Sequence, residues 1–263
     1  MEMPTAENPV VVHNGDCLDL LRRLPDGCVD AVVTDPPYSS GGAFRGDRQQ
    51  STETKYNGWS QNEDGSSRKP TAAYPEFTGD TRDQRGYLTW FGIWAGECLR
   101  ASRPGAHFFT FTDWRQLPTI TDAVQVGGWV WRGLAVWDKG VGRPMKGRFR
   151  NHLEYIVWGT NGATGEPQDV YLSNLFQYAP PTSQTRQHRT EKPVDLIREL
   201  IRMTPPDAMV LDPFAGSGTT GAAAVIEGRR AILIEKEPVY VDVTRRRIAK
   251  ASGAGSLFAG ATN

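Results

Sequence analysis

The chain has 263 residues, of which 38% are hydrophobic and 23% charged, and 30 basic side chains balance 30 acidic ones. This composition excludes a disordered or collagen-like chain and is typical of a globular protein that buries a sizeable core. Because the formal net charge is zero, any binding to nucleic acid has to come from a local basic patch.

The cysteines and the N-terminus indicate in which cellular compartment the protein is expected. Cys17, Cys28 and Cys98 are too few and too scattered for a disulfide framework, and no C-x-x-C metal pair is present. A reducing compartment is the simplest interpretation. No apolar run approaches the roughly 18 residues of a membrane span, and the N-terminus does not resemble a signal peptide. We therefore expect a cytoplasmic protein without a bound metal or a membrane partner.

Strand and helix patterns alternate at the start of the chain. Residues 10–13 predict a short strand and residues 17–24 a helix. Residues 29–34 predict a buried strand that ends before Asp35, because the two prolines that follow cannot continue a strand inside a sheet. A strand, a helix and a second strand in this order indicate a parallel sheet. The polar stretch 39–86 has little periodicity and is interpreted as a long insertion loop.

The rest of the chain predicts further helices and strands. The predicted helices are 87–102, 114–126, 191–203, 219–227 and 238–250, and the predicted strands are 106–112, 129–137, 152–158, 208–211 and 230–234. The aromatic-rich strands 129–137 and 152–158 are most simply paired antiparallel. Residues 1–250 thus predict one α/β domain with a doubly wound sheet, followed by a flexible tail at 251–263.

A glycine loop lies between a predicted strand and a predicted helix. Residues 216–221 satisfy the pattern G-x-G-x-x-G, and Glu235 follows at the end of the next strand. Glycines let a ligand approach the backbone, and a carboxylate accepts hydrogen bonds from ribose hydroxyls, so the pattern favours a nucleoside cofactor. The alternative is a turn that only packs a helix against a strand. A P-loop lysine is absent, and Asp212 suits an amino-bearing ligand better than a pyrophosphate.

The segment Thr34-Asp35-Pro36-Pro37-Tyr38 also follows a strand, where ligands bind in open α/β sheets. The exocyclic amine of a nucleobase is a poor nucleophile, because its lone pair is delocalised into the ring. The Asp35 carboxylate and the Pro36 carbonyl can accept its two protons and so localise the lone pair. Tyr38 offers a flat face on which an extruded base can stack. The alternative is a surface turn with two prolines.

Several spaced motifs together resemble a known family. The segments TDPPY at 34–38, HRTEKP at 188–193, DPFAGSGTT at 212–220 and ILIEKE at 232–237, with Gly15-Asp16-Cys17, occur in the order typical of one group. The chain resembles the S-adenosyl-L-methionine (AdoMet)-dependent DNA amino-methyltransferases of the circularly permuted β group. The resemblance implies a class I, Rossmann-like, mostly parallel sheet of seven strands with one antiparallel strand.

The resemblance also implies roles for individual residues. The implied catalytic residues are Asp35, Pro36, Pro37 and Tyr38. The implied cofactor-binding residues are Asp16, Cys17, His188, Thr190, Lys192, Asp212, Phe214, Ala215, Gly216, Ser217, Gly218, Thr219, Glu235 and Lys236. Asp16 is expected near the adenine, Glu235 at the ribose, and Lys192 near the carboxylate end. The family often has proline after the histidine of HRTEKP, whereas this chain has Arg189.

One segment is a candidate contact to the DNA backbone. The basic residues of 138–151 are Lys139, Arg143, Lys146, Arg148 and Arg150, which favour phosphate contacts. The alternative is a solvated loop. Sequence recognition is expected from loops within 138–190 (138–151 and 159–187) together with the polar stretch 39–86. His152 and Glu154 are interpreted as structural.

We expect transfer of a methyl group from AdoMet to N6 of adenine in double-stranded DNA by base flipping. Asp at the first position of the tetrad favours adenine, and N4 of cytosine is the alternative. A non-catalytic DNA-binding protein, an NAD-dependent oxidoreductase, and a methyltransferase of RNA or protein amides are further alternatives. A homodimer and a cognate restriction enzyme are expected partners from the same resemblance.

Overall fold

The structure is a computed structural model that describes residues 1–39, 60–61, 67–68, 82–142, 144, 146–147, 149–181 and 191–258. For residues 60–61, 67–68 and 254–258 it describes the backbone alone.

Helices and strands alternate along the described chain. The strands are β1 Val10–Asn14, β2 Val29–Thr34, β3 Ser60–Gln61, β4 Ser67–Arg68, β5 Ser102–Thr112, β6 Val130–Asp138, β7 Leu153–Thr160, β8 Leu175–Gln177, β9 Met209–Asp212 and β10 Arg230–Glu235. The helices are α1 Cys17–Leu21, α2 Gln84–Ala101, α3 Leu117–Val126, α4 Val194–Ile201, α5 Thr219–Ile226 and α6 Pro238–Phe258.

Eight of the described strands form one sheet in the order β1-β10-β9-β2-β5-β7-β6-β8, and β3 and β4 form a separate antiparallel pair. Of these eight strands, β7 alone runs against its neighbours, because it pairs antiparallel with both β5 and β6. The predicted aromatic pair is therefore confirmed. The sheet has one strand more than expected, since β8 pairs parallel with β6 in a region where no strand was predicted. A strand of three residues is too short to show a period of two in the sequence.

Helices cover both faces of the sheet. One apolar cluster joins α1, α2 and α3 to sheet residues such as Val32 and Phe108. The other joins α4 and α5 to residues such as Val33 and Phe109. Adjacent residues in β2 and in β5 thus pack on opposite faces, as the strand period requires. This arrangement buries both faces of the sheet and leaves its ends for ligands.

Two element boundaries differ from the predicted ones by four residues or more. Residues 103–105 were expected to separate α2 from its strand, but β5 begins at Ser102 directly after the helix. The pairing of β2 with β5 shifts register, because Val29 lies opposite Ser102 whereas Ala31 lies opposite His107. Pro104, which has no N–H to donate to a neighbouring strand, lies in this irregular stretch. At the other end of the chain, α6 continues to Phe258 instead of ending at 250 before a flexible tail.

None of the helices in the described ranges is long and apolar enough to cross a membrane. No group of three or more His, Cys, Asp or Glu that could hold a metal ion occurs among the residues that the structure describes.

Candidate active site

The two segments singled out in the sequence lie side by side. Strand β2 pairs in parallel with β9, with Val32 opposite Leu211. The Thr34 hydroxyl donates a hydrogen bond of 2.8 Å to Oδ1 of Asp212. The tetrad that begins at Asp35 and the glycine loop therefore leave the same end of two neighbouring strands, although 178 residues separate Thr34 from Asp212.

Asp35 is held by two partners. The Tyr38 hydroxyl donates to Oδ1 at 2.6 Å, and the Lys192 ammonium donates to Oδ2 at 2.5 Å. Glu154 lies beside this pair, with Oε2 3.2 Å from Nζ of Lys192 and 3.3 Å from the Tyr38 hydroxyl oxygen. Nζ of Lys139 contacts the other oxygen of Glu154 at 3.2 Å. The cluster contains two carboxylates and two ammonium groups, so its formal charges balance.

Burial and neighbouring charges act in opposite directions on this cluster. Burial raises the pKa of Asp35 above its usual value, and the nearby Lys192 ammonium reduces but does not cancel that effect. Burial would lower the pKa of Lys192, but Asp35 and Glu154 raise it overall. Burial would raise the pKa of Glu154, yet Lys192 and Lys139 lower it overall. Lys192 is consequently an ammonium group at neutral pH, and it stabilises the ionised form of Asp35.

The segment after the tetrad is also constrained. Ser39 is fully buried and has a φ of 50°, an unusual value for a residue other than glycine. The Gln116 side-chain amide donates to the Ser39 carbonyl at 3.1 Å. Residues with such strained backbone conformations occur mainly at functional sites, where the surrounding structure holds them in place. The loop after β5 thus fixes the direction in which the chain leaves the tetrad.

Asp212 accepts hydrogen bonds from both the glycine loop and the end of β2. Its Oδ1 accepts from Thr34 and from the Phe214 backbone N–H at 3.0 Å, and its Oδ2 accepts from the Thr220 hydroxyl at 2.6 Å. Asp212 is only 3% exposed, and burial raises its pKa to about 6. The loop therefore encloses a carboxylate whose hydrogen bonds come from the loop, from the start of α5 and from Thr34 of β2.

Glu235, at the end of β10, closes the other side of the loop. Its Oε2 accepts from the Gly216 N–H at 2.7 Å, and its Oε1 accepts from the Glu237 N–H at 2.8 Å. Burial raises its pKa to about 7. The carboxylate predicted to bind a ribose thus lies beside the glycine that begins the loop.

Replacing Glu235 with glutamine is expected to stabilise the ligand-free protein more at pH 8 than at pH 5. The pKa of Glu235 is higher in the folded state than in the unfolded state. Between about pH 4.5 and 7 the folded protein therefore keeps a proton on this carboxyl group that the unfolded chain has lost. Its contribution to stability is full below the unfolded pKa and is lost as the pH rises through about 7. Thermal unfolding of both proteins at the two pH values measures the difference. Exposed Glu166→Gln is the control, and equal differences at both pH values would contradict the expectation.

The predicted adenine end forms where β1 and β10 finish. The Asn14 amide donates to the backbone carbonyls of Glu235 at 2.9 Å and Lys236 at 3.0 Å. Asp16 caps α1 by accepting from the Leu18 N–H, and Nζ of Lys236 lies 3.3 Å from its Oδ2. Cys17 is buried, and burial raises its pKa to about 12, so it is a neutral thiol. Asp16, Cys17, Glu235 and Lys236 are brought together as the sequence predicted.

Two further neighbours of the glycine loop were missed. Phe214 packs against Trp90 and Trp94 of α2, with ring centroids 5.5 and 5.1 Å apart. On the other side, Arg247 of α6 donates to Glu191 at 2.5 Å and to the Thr219 hydroxyl at 2.7 Å. Neither contact has a sequence signal, because Trp90 and Arg247 come from helices distant in the chain.

A cavity lies between the two segments. Its lining includes Asp35, Glu191, Lys192, Asp212, Phe214, Ala215, Gly216, Ser217 and Thr219. The carboxylate predicted to be catalytic and most of the predicted cofactor-binding residues of the glycine loop therefore face one space. A molecule bound against the glycine loop and a second one beside Asp35 would meet there.

Three predicted residues have neighbours that the sequence did not indicate. Lys192, which the resemblance places near the carboxylate end of the cofactor, donates to Asp35. Lys139, predicted to contact DNA, also bonds Glu154, because β6 ends beside the start of β7. Glu154, interpreted as structural, belongs to the same cluster. The prediction that β6 and β7 pair antiparallel, which places residue 154 near 138, was the available signal.

Some predicted residues lie outside the described ranges or on the surface. His188, Thr190, Arg143 and Arg148 are outside the described residues. Lys146 and Arg150 are both exposed to solvent, as contact with the phosphate backbone of DNA requires.

Comparisons with known proteins identify the family of this chain. A family model described as DNA methylase, of the N6/N4 class, matches residues 29–246. YubD of Escherichia coli, named as a methylase, is 31% identical over 238 residues, which cover 89% of this chain and 88% of YubD. The chain therefore belongs to the N6/N4 family of DNA methylases.

Two solved structures share the fold. The crystal structure of the M1.HpyAVI–SAM complex matches with a TM-score of 0.64 and 21% identity, over 91% of this chain and 98% of that one. The PvuII DNA methyltransferase, described as cytosine-N4-specific, matches with a TM-score of 0.68 and 18% identity, over 97% of this chain and 93% of that one. The expected class I methyltransferase fold is confirmed.

Proposed function

We propose that this protein transfers a methyl group from AdoMet to N6 of adenine in double-stranded DNA, after the base has left the duplex. The observation that carries the proposal is the pairing of β2 with β9, which sets Asp35 and the glycine loop at one end of the sheet. A methyl donor and an amine acceptor have to meet in one cavity, and both segments line the same one.

The residues around the glycine loop fit AdoMet. Gly216 has a φ of 53°, and a Cβ built on it would meet no protein atom closer than the Phe214 carbonyl oxygen at 4.0 Å. A ligand can therefore approach the backbone there, with Glu235 within reach of ribose hydroxyls and Asp16 and Lys236 near the base. AdoMet supplies a methyl group on a positively charged sulfur, which leaves as a neutral thioether. The acidic surroundings, Asp212 above all, suit that positive charge.

In this proposal, Asp35 activates the amine. A carboxylate has about four lone-pair sites, and Tyr38 and Lys192 use two of them, so Asp35 can also accept an amine proton. With the Pro36 carbonyl on the second proton, the lone pair is directed away from the ring. The nitrogen that gains the methyl group must lose one proton, and the ionised Asp35 is the base that receives it. No covalent bond to the protein is needed.

Adenine is favoured over cytosine by the aspartate at the start of the tetrad, through resemblance to the family. N4 of cytosine is the second candidate, because its amine presents the same two protons to Asp35. The structural likeness to the cytosine-N4-specific PvuII enzyme keeps this candidate open.

The experiment that tests the proposal expresses the protein in cells without DNA methylation. Mass spectrometry of the nucleosides distinguishes N6-methyladenine from N4-methylcytosine, and sequencing that detects methylated bases identifies the site. We expect N6-methyladenine at one short sequence, and none with the Asp35→Asn variant. N4-methylcytosine would replace the proposal by its alternative. No methylated base, together with binding of NAD but not AdoMet, would favour an oxidoreductase.

The exposed basic residues should contribute to affinity for DNA without contributing to sequence choice. Changing Lys146 and Arg150 together to alanine is expected to weaken binding for all sequences and to reduce the salt slope, in log–log units, by about 2. Fluorescence anisotropy between 50 and 300 mM salt measures the slope. Lys250→Ala, which removes an exposed lysine from α6, is the control. An unchanged slope in the double variant would mean that the segment is a solvated loop.

A homodimer, a cognate restriction enzyme and a cytoplasmic location remain predictions from the family resemblance. Size-exclusion chromatography with light scattering tests the first, with a mass near 58 kDa expected from twice the 29.1 kDa chain.

A further inference from the structure

Asp35 and Glu154 share two neighbours. The Lys192 side chain is 4% exposed, and its Nζ lies 2.5 Å from Oδ2 of Asp35 and 3.2 Å from Oε2 of Glu154. The Tyr38 hydroxyl oxygen lies 2.6 Å from Oδ1 of Asp35 and 3.3 Å from Oε2 of Glu154. A buried ammonium and a hydroxyl thus each have a near acceptor in Asp35 and a second acceptor in Glu154.

Proton uptake by Asp35 changes the charges of this cluster. During methyl transfer the S–C bond of AdoMet breaks, sulfur keeps the electron pair, and the amine nitrogen forms the N–C bond and becomes positively charged. The N–H bond then breaks, its electron pair stays on nitrogen, and the proton forms an O–H bond with Asp35. Asp35 is now neutral beside a buried ammonium, and a buried charge is costly unless a counter-charge remains beside it.

We propose that Glu154 enables Asp35 to take up the amine proton, because it keeps the Lys192 ammonium paired and accepts from the Tyr38 hydroxyl once Asp35 is neutral. The inference rests on the proposed function and gives the second carboxylate of that site a role in it. Glu154 acts through Lys192 and Tyr38, so it is a positioning residue. Lys192 remains an ammonium throughout.

Glu154 is held in its charged form. It lies in β7, and Nζ of Lys139, just after β6, contacts its Oε1 at 3.2 Å while Oε2 faces Lys192 and Tyr38. Burial would raise the pKa of Glu154, but Lys192 and Lys139 lower it overall. Burial raises the pKa of Asp35, and the charge of Glu154 adds to that effect against Lys192. Asp35 therefore takes up a proton at a pH where Glu154 is still ionised.

The test measures the rate of one round of methyl transfer in a preformed complex with DNA, as a function of pH. Glu154→Gln keeps the size of the side chain and removes its charge, and Lys139→Met removes the ammonium at Oε1. The matched control is Glu7→Gln, which changes an exposed glutamate ahead of β1. Asp113 after β5 and Asp212 at the end of β9 also act on the cluster, and they are the same in every variant.

The rate of wild type and of Glu7→Gln is expected to fall at low pH, because Asp35 is then protonated before the reaction. In Glu154→Gln the highest rate should be roughly 10- to 100-fold lower, and the fall should begin at a lower pH, since Asp35 loses a neighbouring negative charge. In Lys139→Met the fall should begin at a higher pH, because a positive charge that favours the ionised carboxylates is gone. AdoMet affinity, measured by calorimetry, should stay unchanged in all of them.

A double-mutant cycle separates this role from a general effect on the fold. The Asp35→Asn variant cannot take up the proton, so there is no proton uptake left for Glu154 to support. Adding Glu154→Gln to Asp35→Asn should therefore slow the residual transfer by less than about threefold, well below the loss that Glu154→Gln causes alone.

A fall in rate at the wild-type pH in Glu154→Gln, or an equal loss in rate with and without Asp35→Asn, would overturn the inference and leave Glu154 as a structural charge partner. Should Glu154→Gln not fold, Lys139→Met decides in its place, and a fall at the wild-type pH in that variant would overturn the inference. Failure of the proposed function is a separate result, because wild type would then methylate no base.

Discussion

Replacing Asp35 with asparagine is expected to slow methyl transfer by roughly 10³-fold or more, with AdoMet affinity changed by less than about threefold. Asparagine keeps the size of the side chain but loses the charge and the ability to take a proton from the amine. It also leaves Lys192 with one carboxylate where it had two. The loss therefore combines weaker activation of the amine with a displaced ammonium.

Transfer from labelled AdoMet to DNA measures the rate, and calorimetry measures AdoMet binding. The control is Asp122→Asn, which changes an aspartate on α3, remote in the chain from both segments of the site, and should leave both quantities unchanged. Full activity of Asp35→Asn would remove Asp35 from the catalytic role.

Tyr38 should show two separable contributions. Tyr38→Ala removes the ring and is expected to abolish transfer, because stacking of an extruded base is worth about 1–3 kcal/mol and the hydroxyl also holds Asp35. Tyr38→Phe keeps the stacking face and loses the 2.6 Å hydrogen bond to Asp35. The phenylalanine variant should lie between wild type and Tyr38→Ala in kcat, and a rate equal to that of Tyr38→Ala would argue against stacking.

The second large effect is expected at the glycine loop. Gly216→Val should weaken AdoMet binding by roughly 100-fold or more, the equivalent of about 3 kcal/mol. The φ of 53° strains any residue with a Cβ, and the space that the valine methyls would fill belongs to the cavity that the loop lines. Calorimetric titration with AdoMet measures the loss.

Gly228→Val is the matched control for backbone strain. Gly228 follows α5 and has a φ of 64°, and a Cβ built on it would meet no atom within 4 Å. It therefore shares the strain and the open space of Gly216 but not the cavity. The variant should lower the melting temperature and leave AdoMet affinity intact. If both variants lost AdoMet affinity equally, the cause would be backbone strain and not contact between the valine side chain and the cofactor.

Gly218 differs from Gly216 in the same loop. A Cβ there would lie 2.7 Å from Cγ2 and 3.0 Å from Cα of Thr244 in α6. This glycine is needed for the packing of the loop against a helix, whereas Gly216 is needed at the cavity. The motif alone assigns both glycines to cofactor binding and cannot separate these two roles.

Local patterns were sufficient for the types of the elements that were predicted, although they missed β8. The apolar run of β2, the prolines that end it and the glycines that precede α5 are all local features, because they act through the backbone of adjacent residues. The same patterns misplaced the start of β5 and the end of α6, where packing against other elements decides how far an element extends.

The tetrad at 35–38 and the glycine loop could be singled out as candidate functional segments before their neighbours were known. Each contains its own functional groups within a few residues, so the pattern of residue types carries the information. Their adjacency is decided by the β2–β9 pairing, which joins two strands that lie far apart in the chain.

The sequence by itself determined the class of chemistry: a carboxylate with a rigid carbonyl and an aromatic face, and a loop open to a nucleoside. Only the tertiary structure decided which charges stand around that carboxylate. Lys192, Glu154 and Lys139 come from different parts of the chain, and the sequence around each of them does not indicate that they form one cluster. A buried charge is tolerated only beside its counter-charge, and that pairing depends on how the strands and segments are brought together in space.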